Sequence, residues 1–430
     1  MNVLRNNVNH ISKDEFTSVI NANFTFEKKP HLGLSISGGP DSMALLMLVK
    51  DWIKSKSGKI TVFHFDHKMR KKSSKEAIWL KTYISKLGIK FHLLTWDRKE
   101  KLKLNMKNAR EARYKRILDV CKKLKIIHLM TAHHFNDNLE TYYMRKKRNS
   151  SSLGLSSIPK ILIKENLQII RPLLDFSKER LIKTCNFFNV GWIEDSSNCN
   201  EEYERPRVRK ELSKKPVIQL IKLEKEFKKK KNQNDEIEKK TRSFFVSNVS
   251  FFEYGVFEIN KKKFLKSSKE LKIEILKKIL TTASGKIFPP REVSVKHLIK
   301  LIQSNTCFKH TLHSCLLKIY SEKILIFREI SSIKEENKII PKGNPYLWDN
   351  RFFLYSKNFR IECERITIKN WVFLKKYFAF KKNCLNFLIL SSLPLIKIKK
   401  KNFIPFLSLN NLEYEFYFKP IIPIARKNFF

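Results

Sequence analysis

The chain is short of acid. Its 430 residues hold 41 Asp and Glu against 88 Lys and Arg, a formal charge of +47. That imbalance points to a polyanionic partner, usually nucleic acid. A coding bias toward Lys, Asn, Ile and Phe raises lysine in the same way, and composition alone leaves both readings open. Cysteine is sparse and unpatterned: seven residues, at 121, 185, 199, 307, 315, 363 and 384, with no Cys-x-x-Cys pair. Such spacing excludes a disulfide framework or a zinc site and suits a reducing compartment. Long apolar runs are missing too. The N-terminal MNVLRNNVNHISKDEF has no signal-peptide core. FLILSSLPLI is too short to span a bilayer and contains Pro394. A cytoplasmic place is therefore expected, or the stroma or matrix for an organelle-encoded chain, with no membrane partner. Glycine and proline are scarce, at 10 and 14 residues.

At 42% hydrophobic the chain can still bury a core, and its length suggests two or three domains. Short apolar runs recur at 31–37, 59–65, 89–96, 126–132 and 167–174. Stretches of helical spacing separate them, such as SMALLMLVKDWIK and SKEAIWLKTYISKLG. The alternation predicts an α/β fold, a doubly wound, mostly parallel sheet. Ligands of such sheets bind at the carboxyl ends of the strands, which makes 37–42, 64–67 and 131–137 spatial neighbours. After about residue 215 the pattern changes to a lysine-rich linking helix and amphipathic helices, then a hairpin-like alternation at TLHSCLLKIYSEKILIFRE. A break at PKGNPYLWDN precedes a stretch rich in aromatics and apolar–polar alternation. Three parts are expected: 1–215, a nucleotide-binding catalytic domain; 216–340, a linker helix and small, mainly helical domain; 341–430, a small β-rich α+β domain.

Two of the ten glycines fall together, in Ser37-Gly38-Gly39-Pro40-Asp41-Ser42 between a strand and a helix. Glycines let a backbone approach a ligand closely. Amides at a helix start favour an anion, and Ser37 and Ser42 add hydroxyls. The pattern is neither Gly-x-x-x-x-Gly-Lys-Ser/Thr nor Gly-x-Gly-x-x-Gly. A plain helix-capping turn is the simpler reading. Asp41 beside a phosphate is unfavourable unless Mg²⁺ bridges them, so Asp41 is the candidate metal ligand.

Further on, AREARY carries Arg110 and Arg113 three residues apart on one predicted helix face. Such a pair suits phosphate or carboxylate, or is merely exposed. TAHHFNDNLETYY places His133, Asp137 and Glu140 at i, i+4 and i+7, one stripe if a helix starts there, with His134 turned off it. A metal reading of the two histidines with Asp137 lacks an evident third ligand. Acid–base or positioning work is the alternative.

Together these segments resemble the PP-loop ATP pyrophosphatases, and among them the tRNA(Ile)-lysidine synthetases. The resemblance is carried by SGGPDS, FDHKMRKKSSKEA with His67 and Arg70, AREARY, TAHHFNDNLETYY, RPLLDF and WIEDSSN through Arg205 and Arg209. Asn136-Asp137 stands where many relatives have Asp-Asp, and Arg148-Asn149-Ser150-Ser151 where some have a glycine-rich loop. The absent Cys-x-x-Cys sets the chain apart from the iron–sulfur thiolases of the superfamily.

The resemblance implies ATP and Mg²⁺ as cofactors, with free L-lysine and CAU-anticodon tRNA(Ile) as partners and no iron–sulfur cluster or zinc. It implies adenylation of the wobble cytidine at its carbon-2 oxygen and displacement of AMP by lysine. Ser37, Gly38, Gly39, Pro40, Asp41 and Ser42 would bind ATP. Asp41, His133 and Asp137 would be catalytic. Arg110, Arg113, Glu140 and Arg205 would hold lysine, pyrophosphate or tRNA. The two later domains would grip the tRNA.

Overall fold

In the computed structural model, residues 9–66, 73–95, 106–148, 158–164, 167–194, 202, 204–304, 307–334, 337–368, 370–372, 387–399, 401–405 and 414–424 are described. The five apolar runs of the first half become strands of one sheet. These are β1 (His31–Ser35), β2 (Lys59–Asp66), β3 (Lys90–Thr95), β4 (His128–Thr131) and β6 (Leu167–Ile170). The order is β3-β2-β1-β4-β6, all parallel, and an edge strand, β5 (Ile161–Lys164), pairs antiparallel with β6. The doubly wound sheet expected from the alternation is present.

Its strands are apolar at successive positions because both faces are covered. Val62, Met130 and Ile170 join one core with α2 (Pro40–Lys54), α3 (Ser73–Lys86) and α6 (Lys178–Phe187). Their neighbours Phe63, Leu129 and Ile169 point the other way, onto α4 (Met106–Lys123). An N-terminal helix, α1 (Lys13–Asn23), packs into the first core through Phe16 and Ile20. Gly33 on β1 keeps the layers close: a Cβ there would lie 2.8 Å from the Phe63 ring.

Three helices complete this unit: α5 (Phe135–Lys147), α7 (Glu204–Ser213) and the start of α8 (Val217–Asn248). Leu139, Tyr142, Val208, Leu212, Leu223 and Phe227 form their shared core. The chain divides at 232/233 into two compact units, Met1–Asn232 and Gln233–Arg426. The first compact unit thus runs past the boundary expected at 215, into the continuous α8.

Before residue 340 the second unit combines helices with a sheet that the expectation from the sequence did not include. Besides α9 (Lys261–Lys266), α10 (Lys269–Ser284) and α11 (Glu292–Ser304) it contains a five-stranded antiparallel sheet. Its strands are β7 (Val249–Phe252), β8 (Val256–Asn260), β9 (Phe308–Leu312), β10 (Cys315–Ile319) and β11 (Lys323–Arg328). The hairpin legible at 311–329 is only its middle. Two smaller antiparallel sheets follow, one running from Lys338 to Phe403 and one from Tyr346 to Phe418.

Residues on either side of 340 pack as one body. Asp349 and Asn350 take left-handed φ values of 45° and 57° in the tight turn of a hairpin, closed by Arg351 N–H donating to Trp348 O at 3.0 Å. The Asp349 carboxylate accepts two bonds from Arg328, each 2.9 Å, and one from Arg351 at 2.7 Å. Arg351 is fully buried and also donates to the Ser392 carbonyl at 2.7 Å. Gly285 ends α10 at φ +69°, where a Cβ would sit 2.6 Å from the Asp349 carbonyl.

Candidate active site

β1 and β4 are neighbours, with Ser35 opposite Thr131, yet the chain leaves them toward different connections. Their carboxyl ends flank the switch point of the sheet, where such folds bind ligands. The loop after β1 and the start of α5 after β4 meet there.

The glycine loop is braced from several sides. Gly38 has φ +93°, a conformation natural to glycine. Its carbonyl accepts from Ile193 N–H at 2.8 Å, and a Cβ at Gly38 would lie 2.5 Å from Ile193 Cδ1. Gly39 caps α2, and Pro40 begins it, a position that needs no amide hydrogen. The Ser42 hydroxyl is spent within the loop. It donates to Gly39 O at 2.9 Å and accepts from Ser37 N–H at 3.2 Å and Gly38 N–H at 3.1 Å. In this state Ser42 shapes the loop from inside. From β2, His64 donates through Nδ1 to Ile36 O at 2.9 Å. Burial lowers the His64 pKa, favouring the neutral ring.

Across from the loop, α5 begins at Phe135, with His134 as its N-cap residue. The Asp137 carboxylate accepts from His134 N–H at 3.1 Å, which fixes the start of the helix. This corrects the stripe expected at 133, 137 and 140. His133 lies outside the helix, half-buried, with Nδ1 3.0 Å from Thr131 Oγ1. The histidine between the carboxylates is His134. Its Nε2 lies 3.6 Å from Asp41 Oδ2 and 3.6 Å from Asp137 Oδ2.

Burial opposes charge on both partners, but their mutual field prevails. The His134 pKa is raised by its bond to Asp41 and by Asp137 and Glu140. That of Asp137 is lowered by His134, His133 and the His134 amide, and then by Arg205. The result is a buried histidine held between two carboxylates.

α7 closes the network. Arg205 Nη1 is 3.9 Å from Asp137 Oδ1, and its Nη2 is 3.4 Å from Thr141 Oγ1. One turn on, Arg209 donates from Nε to Glu140 Oε1 at 2.6 Å and brings Nη2 to 3.5 Å from Asp137 Oδ1. Asp137, Glu140 and Thr141 share one face of α5 because 3.6 residues make a turn, and Arg205 and Arg209 answer them at i and i+4. Asn136 serves elsewhere, its Oδ1 accepting from Lys178 N–H at 3.0 Å at the start of α6.

Sequence reasoning leaves His134 off the site and gives Arg209 no role. The paired histidines and the Arg-x-x-x-Arg spacing were the available signals. Arg113 lies on α4, half-buried, its guanidinium 5.3 Å from the Tyr114 ring. Arg110 lies on the same helix, but its side chain is outside the described residues, as are His67, Arg70 and 149–151.

A model of the PP-loop domain matches residues 8–216. The tRNA(Ile)-lysidine synthase of Rickettsia akari (strain Hartford) is 32% identical over 392 residues, covering 86% of this chain and 87% of that protein. The same-named protein of Rickettsia prowazekii (strain Madrid E) is 33% identical over 380 residues, with the same coverage. The chain belongs to the tRNA(Ile)-lysidine synthase family. Among solved structures, the U34-tRNA thiolase NcsA from Methanococcus maripaludis with its [4Fe-4S] cluster overlaps 51% of this chain and 76% of its own, at 15% identity and a TM-score of 0.40.

The residues at the glycine loop fit a divalent cation. Asp41 Oδ1 is buried and has no hydrogen-bond partner among the described residues. One carboxylate oxygen with phosphate and water oxygens is the usual Mg²⁺ arrangement. No described group of three or more His, Cys, Asp or Glu side chains could hold a metal by itself. Among the described residues no helix is long and apolar enough to cross a membrane.

Proposed function

We propose that the network Asp41–His134–Asp137–Glu140, with the loop Ser37–Ser42, is the active site of an ATP-dependent ligase. It joins free L-lysine to carbon-2 of the wobble cytidine in CAU-anticodon tRNA(Ile), releasing pyrophosphate and AMP. The observation that carries the reading is the contact of Asp41 on the phosphate loop with His134, which also meets Asp137 at the start of α5. It couples the leaving-group side of the site to the carboxylates that would meet an amine. Family membership supports the reaction itself.

The chemistry follows in two displacements. The cytosine carbon-2 oxygen attacks the α-phosphorus of ATP, and the bond to the β-phosphate bridging oxygen breaks. Pyrophosphate departs along the amides at the start of α2, a natural anion site. Mg²⁺, held by Asp41, would offset phosphate charge there. The lysine ε-amine then attacks carbon-2, and AMP leaves with the former carbonyl oxygen. The amine must lose a proton, since its ordinary pKa is about 10.4. Asp137 and Glu140 are placed to orient it as an ammonium before that loss. His134, between Asp41 and Asp137, keeps the two carboxylates together.

Arg205, with its longer contacts, and Arg110 and Arg113 on α4 are candidates for the lysine carboxylate, pyrophosphate or RNA phosphates. The wobble base must leave its stack to reach the site. The regions 216–340 and 341–430 would hold the tRNA through phosphates, in keeping with the net charge of +47.

The test is one incubation of protein, Mg-ATP, labelled lysine and CAU-anticodon tRNA(Ile). Label at the wobble base is expected. Pyrophosphate release without label, but with incorporation of a different amine, would refute lysine as the nucleophile.

A further inference from the structure

Arg209 has no part in the reaction as described, yet it is the most committed cation of the site. Its side chain is 35% exposed, and its Nε bond to Glu140 Oε1, at 2.6 Å, is the shortest contact in the network. Glu140 is 4% exposed. Its second oxygen, Oε2, is buried and has no hydrogen-bond partner among the described residues. A buried carboxylate oxygen left without a donor is costly unless a ligand supplies one. Arg209 holds Glu140 by one oxygen and reaches Asp137 with its other arm, 3.5 Å away. Arg205, one turn earlier, approaches the same carboxylate only at 3.9 Å.

We propose that Arg209 is a positioning residue that sets the affinity for the amino-acid substrate. It clamps Glu140 through Oε1, so that Oε2 is presented to the substrate's ammonium group, and it keeps Asp137 turned toward His134. The proposal rests on the reading that an amine is the second substrate. The clamp depends on the fork of the guanidinium. Nε and Nη2 serve two carboxylates at once, which the single nitrogen of a lysine side chain cannot do in the same geometry. Without Arg209, Glu140 loses its counter-charge one helical turn from the Asp137 carboxylate. Glu140 would then rotate or take up a proton and lose its hold on a cation. The phosphate loop would keep its own hydrogen bonds, because Asp41 is joined to this group through His134 and not bonded to Arg209.

The experiment compares wild type, Arg209→Ala, Arg209→Lys, Glu140→Gln and the double variant Arg209→Ala/Glu140→Gln. It reads KM for lysine, KM for ATP, pyrophosphate release from ATP and tRNA without lysine, and melting temperature. Arg209→Ala is expected to raise the lysine KM about tenfold or more, the size of a lost charge-assisted hydrogen bond. The ATP KM and lysine-independent pyrophosphate release should stay within about twofold. Arg209→Lys should fall between, and added guanidinium should partly restore Arg209→Ala. The double variant should be no worse than Glu140→Gln alone, since Arg209 acts through Glu140. An unchanged lysine KM in Arg209→Ala overturns the proposal. So does a parallel fall of lysine use, ATP use and melting temperature, which would leave Arg209 with α7–α5 packing alone. A wild-type protein that releases pyrophosphate but never takes lysine overturns the underlying reading instead.

Discussion

Replacing Gly38 by alanine tests the phosphate loop where its geometry is most demanding. An L-residue at φ +93° costs roughly 1–2 kcal/mol in backbone strain. The new methyl would also lie 2.5 Å from Ile193 Cδ1, closer than real carbons approach. The Ile193 backbone is held by its own N–H bond to the Gly38 carbonyl at 2.8 Å, so relief requires its side chain to turn away. Forcing a methyl into such a contact costs about 1–3 kcal/mol more. The sum is roughly 2–5 kcal/mol against the loop shape seen here, at least a thirtyfold loss at about 1.4 kcal/mol per decade. The assay is kcat/KM for ATP in pyrophosphate release, with melting temperature as the control for folding. Ile193→Ala in the Gly38→Ala background should recover the steric part and leave the backbone part, a partial rescue of about tenfold. Full activity in Gly38→Ala, or no recovery in the double variant, would refute the loop geometry.

Other expectations follow from the same contacts. Asp41→Ala should abolish pyrophosphate release while tRNA binding survives; turnover that persists would remove Asp41 from the reaction. His134→Ala should slow adenylation about 10- to 100-fold, as two charged contacts vanish, and His133→Ala should be milder; the reverse order would restore His133 to the centre. Asp349→Ala should destabilise Gln233–Arg426 by about 3–5 kcal/mol in urea titrations, since it strands Arg328 and Arg351 without a counter-charge; a loss under about 1 kcal/mol would refute that reading.

Acid should weaken the same unit in two steps. Burial, with Lys286 nearby, lowers the His313 pKa to about 4, so its contribution is complete above pH 6.5 and fades between 6.5 and 4. Burial opposes the Glu292 carboxylate, but hydrogen bonds from Lys296 and Lys277 hold its pKa down to about 2, so its contribution fades between pH 4.5 and 2. Urea midpoints measured across this range should fall in that order, and His313→Gln should flatten the first step.

The sheet was legible because each buried strand is a short continuous apolar run and each helix between them keeps its own period. β5 escaped because four residues of edge strand carry little pattern. The site was legible in kind but not in detail. Periodicity placed Asp137 and Glu140 on one face correctly. It could not say where α5 begins, and one residue of phase exchanges His134 for His133. The hydrogen bond from the His134 amide to Asp137 decides that phase, and it is a matter of three-dimensional capping. Arg209 was visible as a motif position only, since its meaning comes from α7 lying against α5. The Arg328–Asp349–Arg351 group was not legible at all: the turn that carries Asp349 and Arg351 meets Arg328, 21 residues earlier, only when two separate sheets pack together.

That last group governs how the protein can be taken apart. A chain stopped at residue 340 would end, to the eye, at a tidy junction between β-structures. It would also lose the carboxylate facing Arg328 and uncover the close seat that Gly285 makes for the Asp349 carbonyl. A shortened protein that no longer held tRNA would then report a collapsed remainder, not a missing grip. A graft is the sounder dissection. The tail of another family member should be interchangeable here when it brings an acidic residue to the tip of its first hairpin, and poorly tolerated when it does not.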